Sequence, residues 1–122
     1  MTSELLDSTI VIDHLNGLQD AFRTIDSLED PAISVTTGIE VDTGLRDARS
    51  VEIGRGFLQT LQLIHLSPAI AEETVAIVRA RRLKLPDAII LATARQLGCP
   101  LVTRNTKDFP EDDPAVVVPY RL

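Results

Sequence analysis

The sequence predicts a three-layer α/β domain with a mostly parallel central sheet. Three observations carry that expectation. Short apolar or β-branched runs alternate with helix-period segments along the whole chain, the pattern of a parallel sheet covered by helices. Hydrophobic residues make up 44% of 122, with no Trp, one Tyr and three Phe, so the core must be built from Leu, Ile, Val and Ala. Helix punctuation falls where the pattern changes: Ser67–Pro68, Pro86–Asp87 and Gly98. The length fits one domain over residues 1–122, which would bury roughly two-thirds of its unfolded surface.

Glu4–Asp7 (ELLD) reads as a short apolar strand ending at an acid. Ile10 to Leu18 carries Val11, Leu15 and Leu18 at helical spacing, and Gly17 offers a break. A second helix with Phe22, Ile25 and Leu28 should stop near Asp30–Pro31. Ala32–Thr36 (AISVT) is a buried-strand pattern. A helix carrying Glu40 is expected over Gly38–Arg46, and another over Val51–Leu61, although Gly54 and Gly56 weaken the latter.

Leu63–Leu66 is a short strand candidate. Ser67 and Pro68 open a helix with Glu72 and Glu73 toward its positive end and a stripe of Ile70, Ala71, Val75 and Val78. It ends in the basic run Arg79, Arg81, Arg82, Lys84. The next helix, with its apolar pattern over Ala88–Leu97, opens at Pro86–Asp87 and closes at Gly98. Pro100–Thr103 and Ala115–Val118 complete the strands.

The totals exclude some functions. A net charge of −6 argues against nucleic-acid binding through a broad basic surface, but suits a basic protein partner. It leaves room for an enzyme that meets phosphate through a metal and a local basic patch. No apolar run approaches the ~20 residues of a membrane span. The start, MTSELLDSTIV, has no basic segment ahead of its apolar residues and does not read as a signal peptide. The lone Cys99 cannot form an internal disulfide and fits a reducing, cytoplasmic setting.

In parallel sheets of this class, sites form beyond the carboxyl ends of the strands. Asp7 ends the first strand, Glu40 follows the second, and Asn105 and Asp108 follow Pro100–Thr103. Asp87 stands at a helix start that can face the same rim. Carboxylates gathered there would raise one another's pKa values, and a divalent cation would remove that cost. Mg²⁺ and Mn²⁺ prefer such oxygen ligands and can activate water beside a phosphodiester.

Each acid also has a local reading: Asp7 and Asp87 as helix-start residues, Glu40 as a solvated helix residue, Asp108 as a loop residue. Asp13, Asp20, Asp26, Glu29 and Asp30 read as solvated or capping residues, and Glu111, Asp112 and Asp113 as a solvated loop. His14 and His65 lack metal-ligand spacing, and Cys99 reads as a buried structural thiol. Arg79, Arg81, Arg82 and Lys84 are either helix-end cations or phosphate contacts, and Arg104 and Lys107 join them as candidate phosphate contacts.

Four blocks carry a resemblance: LLDSTIVID (Leu5–Asp13), SVTTGIEV (Ser34–Val41), KLPDAIILATA (Lys84–Ala94) and LVTRNTKDF (Leu101–Phe109). In this order and spacing they resemble PIN-domain ribonucleases, and among them the VapC-type toxins of bacterial VapBC pairs. The resemblance implies a Mg²⁺- or Mn²⁺-dependent endoribonuclease acting on tRNA or rRNA. It further implies a homodimer, restrained by a VapB-like antitoxin. On it, Asp7, Glu40 and Asp87 fall on the family's first three acids. Ser8 or Thr9 matches the small polar position after the first, and Thr103 the Thr before the last. Asn105 stands where many relatives carry a fourth Asp, with Asp108 three residues on. Asn offers a carbonyl oxygen but no charge, so a second metal would depend on Asp108.

Two rival readings remain at this point. A degenerate PIN domain would bind its partner or RNA without catalysis. A haloacid-dehalogenase-type phosphatase would use Asp7 as nucleophile, but it would want an acid where Thr9 stands.

Overall fold

A computed structural model describes residues 4–122. The elements follow in chain order as β1 (Glu4–Leu6), α1 (Ser8–Leu15), α2 (Gln19–Asp26), β2 (Pro31–Ser34), α3 (Val35–Gly44) and α4 (Ala48–Leu58). Then come β3 (Gln62–Ile64), α5 (Pro68–Ala80), α6 (Leu85–Leu97), β4 (Leu101–Val102) and β5 (Val116–Val117). The five strands form one parallel sheet in the order β3-β2-β1-β4-β5. The expected three-layer α/β/α architecture is the observed one. Strand order reverses between β1 and β4, so the crevice beyond their carboxyl ends is the natural place for a site.

Side-chain alternation along the strands builds the layers. Leu5, Ala32 and Leu101 point to one face, where Ile70 and Ile77 of α5 and Ala88, Ile90, Leu91 and Ala94 of α6 cover them. Their neighbours Leu6, Ile33 and Val102 point to the other face, against Ile10, Val11 and Val41. The inner strands β1, β2 and β4 are buried on both sides, which is why they read as apolar runs, whereas the edge strands β3 and β5 are partly exposed.

Several boundaries differ from the sequence expectation. Val35 and Thr36 belong to α3 rather than to the strand, because the Ser34 hydroxyl accepts from Thr37 N–H at 3.1 Å and starts the helix there. Asp47 does the same for α4, accepting from Ser50 N–H at 2.9 Å, so that helix begins before Val51. Gly54 is tolerated within it because the Leu45 side chain occupies the space beside its Cα; an added Cβ would lie 2.4 Å from Leu45 Cδ1. The third strand ends at Ile64 rather than Leu66.

In α5 the inward stripe is Ile70, Thr74 and Ile77, while Val75 and Val78 are exposed, against expectation. Phe22 of α2 is also exposed, at 48%. Glu72 and Glu73 lie beyond the first turn of α5, and Glu73 reaches Arg95 at 3.8 Å. Gly98 closes α6 at φ 64°, a left-handed conformation that costs glycine nothing. Among the described residues, no helix is long and apolar enough to cross a membrane.

Candidate active site

The register Leu6↔Val102 sets the next residues of β1 and β4, Asp7 and Thr103, side by side. Asp7 N–H donates to Val102 O at 2.9 Å, and Thr103 N–H to Val117 O at 3.0 Å, so both backbones are fixed. Asp7 is the N-cap of α1. Its Oδ2 accepts from the Thr9 hydroxyl at 2.8 Å, the Thr103 hydroxyl at 2.8 Å and Thr9 N–H at 3.4 Å. A carboxylate only 2% exposed needs such donors. The capping and rim readings of Asp7 are therefore compatible: one oxygen is held by the fold.

Ser8 links the first two acids. Its hydroxyl lies 3.2 Å from Glu40 Oε1 and 3.5 Å from Asp7 Oδ1. Glu40 is raised above the usual carboxylate range by loss of water around its carboxyl; the Ser8 hydrogen bond opposes that shift and the Asp7 charge adds to it.

Asp87 is the third residue of α6, whose N-cap, Lys84, makes no side-chain cap bond. Its carboxyl is pushed up to about 6. Burial is the main cause, followed by the charges of Asp108, Asp7 and Glu40, with Lys84 opposing. Acids from three distant segments thus act on one carboxyl.

The fourth position is a pair. Asn105 N–H donates to the Thr103 hydroxyl oxygen at 3.0 Å. Asn105 Nδ2 donates to Asp108 Oδ2 at 2.9 Å, and Asp108 N–H returns to Asn105 Oδ1 at 3.3 Å. Phe109, fully buried, anchors the turn and donates its N–H to Asn105 O at 3.1 Å. Asp108 supplies the foremost of the charges felt by Asp87, and Asn105 orients Asp108.

Other expectations fail. Asp13 is not solvated: it is 6% exposed and is gripped by the Arg104 guanidinium, with Nη2–Oδ1 at 2.8 Å and Nε on Oδ2. The Tyr120 hydroxyl donates to the same Oδ2 at 2.8 Å. The Arg104 hydrogen bond holds Asp13 below the usual carboxylate range. Arg104 is therefore engaged, not a free phosphate contact. Arg81 is likewise occupied, at 3.0 Å from Asp113 Oδ2, which also takes Arg95 at 3.0 Å. Asp113, expected in solvent, is a nearly buried clasp between these two arginines.

Arg79, Arg82, Lys84 and Lys107 are exposed. The His14 ring packs on Phe57, centroids 4.3 Å apart, and Cys99 is buried. The spacing Ile10–Asp13 places Asp13 on the inward face of α1 and could have revealed its burial. Nothing in the sequence marks Tyr120 as its partner.

Among the described residues, no three His, Cys, Asp or Glu side chains already form a set that could hold a metal ion. The chemistry of the donor set nevertheless fits a hard cation. All four groups are carboxylates, and their mutual repulsion at Asp87 is only partly offset by Lys84. Mg²⁺ typically takes one or two carboxylates and keeps its waters, so it needs no closed protein cage. A cavity of about 400 Å³ between Glu4, Arg23, Pro100 and Val117 touches none of these acids.

A family model for the PIN domain matches residues 5–111. A chain in a toxin–antitoxin complex from Klebsiella pneumoniae is 41% identical, with TM-score 0.91, the match covering 98% of this chain and 100% of that one. VapBC2 from Rickettsia felis, bound to a DNA fragment from its promoter, contains a chain 19% identical with TM-score 0.79, covering 99% of each. FitAcB from Neisseria gonorrhoeae gives 22% and 0.79, covering 98% of this chain and 99% of that one. At those two identities the likeness concerns the fold alone. No curated protein sequence matches.

Proposed function

Since this chain belongs to the PIN-domain family, we propose that it is a metal-dependent endoribonuclease, the toxin of a type II toxin–antitoxin pair. One observation carries the reading: Asp7, Glu40 and Asp108, from three separate segments, all press on the half-buried Asp87. A stable fold gathers like charges at such cost chiefly where function uses them. The likeness to a toxin–antitoxin complex at 41% identity supports the toxin assignment.

Asp7 and Asp87 would be the principal holders of Mg²⁺ or Mn²⁺, with Glu40 next and Asp108 a weaker or water-mediated contributor. The ion would supply a polarised water and charge neutralisation at a phosphodiester. The chain's own residues do the rest. Thr9 and Thr103 fix one Asp7 oxygen, Ser8 bridges Asp7 to Glu40, and Asn105 holds Asp108 and orients water. Of the candidate cations, Lys84, Arg79, Arg82 and Lys107 are exposed and would meet an RNA backbone. The substrate class is tRNA or rRNA. The protein acts in the cytoplasm as a single PIN domain and a homodimer, and a VapB-like antitoxin covers its acidic site with a basic segment.

Asp87→Asn tests the reading. Cleavage should disappear while the protein stays folded. A variant that cleaves normally would remove Asp87 from the chemistry, and one that unfolds would make it a structural helix-start residue. Cleavage undiminished in a saturated antitoxin complex would count against the toxin assignment.

A further inference from the structure

We propose that Arg104, clamped by Asp13 and Tyr120, is a positioning residue that holds the Thr103–Asp108 turn in register with Asp7. The inference rests on the nuclease reading for what the turn is for, and on geometry for the clamp itself.

Arg104 lies between the residue whose hydroxyl holds Asp7 and the residue whose amide holds Asp108. Its side chain grips both oxygens of Asp13 on α1, and the Tyr120 hydroxyl donates to one of them at 2.8 Å. Its backbone N–H lies 3.4 Å from Thr9 Oγ1, which in turn donates to Asp7 Oδ2 at 2.8 Å. The Arg104 side chain thus pins the turn to α1, and the backbone contact joins the same turn to the hydroxyl on Asp7.

A two-pronged guanidinium–carboxylate pair is rigid in direction as well as distance, which a single lysine contact is not. Asp13 is too buried to be left alone without a large penalty, so Arg104 is not released to meet phosphate. Tyr120, close to the last residue, brings the C-terminal segment into the same clamp. Among the described residues, the side-chain hydrogen bonds of Arg104 and Tyr120 go to Asp13 and to none of the four acids, so the clamp acts on the chemistry through the turn.

The test uses the full chain and two variants, Arg104→Gln and Tyr120→Phe. Cleavage of RNA is followed at several salt concentrations, and amide exchange of Asn105 and Asp108 is followed by NMR. For Arg104→Gln, kcat should fall roughly 10- to 100-fold with KM unchanged, since small misplacements of reacting groups cost that much. Both amides should exchange at least about tenfold faster, while those of α6 stay protected. Tyr120→Phe should move both readouts in the same direction by less.

Raised KM with a shallower salt dependence and unchanged kcat would make Arg104 an RNA contact and overturn the clamp. Turn amides as protected as in the parent protein would also overturn it. If Arg104→Gln does not fold, Tyr120→Phe, which removes one oxygen, decides by the same criteria. A parent protein that cuts no RNA would sink the nuclease reading, and the exchange comparison would still decide the clamp.

Discussion

The Thr103 hydroxyl donates to Asp7 Oδ2 over 2.8 Å, joining residues 96 positions apart. The bond lies just past the paired ends of β1 and β4, and both partners are buried. It turns the meeting of two strands into a fixed direction for one carboxylate. Asp7 is left with its other oxygen 3.5 Å from the Ser8 hydroxyl.

Replacing Thr103 with Val keeps the shape and removes the donor. A hydrogen bond to a charged group contributes about 1.5–3 kcal/mol, and the loss falls on a buried carboxylate. Urea unfolding should show destabilisation in that range, with cleavage reduced as well. Unchanged stability would mean that Thr9 alone satisfies Asp7.

Asp87 gives a pH dependence of definite sign. Its folded value is about 6 against an ordinary 3.8, so the folded state binds its proton more tightly than the unfolded state. The ionised form therefore destabilises the fold. That penalty is absent below about pH 3.8, grows as pH rises, and is complete above about pH 6. Glu40, raised as well, acts in the same direction.

The full shift would correspond to roughly 3 kcal/mol, and solvent screening at a half-buried group reduces it to about 1 kcal/mol. In metal-free buffer, Asp87→Asn should raise Tm by roughly 3–6 °C at pH 7.5 and hardly at pH 4. Mn²⁺ should stabilise the parent protein more at pH 7.5 than at pH 5. A variant with lowered Tm at both pH values would show that Asp87 supports α6 more than the other acids oppose it.

Asn105 and Asp108 are separable. Asp108→Asn removes a charge beside Asp87 and should lower the Asp87 pKa, readable by NMR titration, while cutting activity severely. Asn105→Ala removes the amide that holds Asp108 but no charge. It should reduce activity by a smaller factor, about tenfold, on the scale of a lost positioning contact. Equal losses would instead make Asn105 a direct participant.

Much of this was legible beforehand. Alternation of apolar runs and caps specified the parallel sheet, and the strand-end rim located Asp7, Glu40, Asp87, Asn105 and Asp108. The four motif blocks matched Asp7, Glu40 and Asp87 to a family's acids and singled out Thr103, which the strand pattern alone left as an ordinary strand residue. The illegible parts share a cause: they depend on which polar groups meet across the fold. Asp13 and Asp113 look like surface acids because burial of a charge is decided by a distant partner, Arg104 or Arg81 and Arg95. Val75 and Val78 look like core because a helix carries two apolar stripes and packing chooses one. The Ser34 and Asp47 caps move helix starts by a few residues, an effect of single hydrogen bonds.

Cleavage of total RNA and purified tRNAs by the free chain, in Mg²⁺, Mn²⁺ or EDTA and beside Asp7→Asn, tests the central claim most directly. The account expects discrete cuts that require the metal and vanish in the variant. A folded, metal-loaded chain that cuts nothing, or an Asp7→Asn variant that cuts as the parent does, would contradict it.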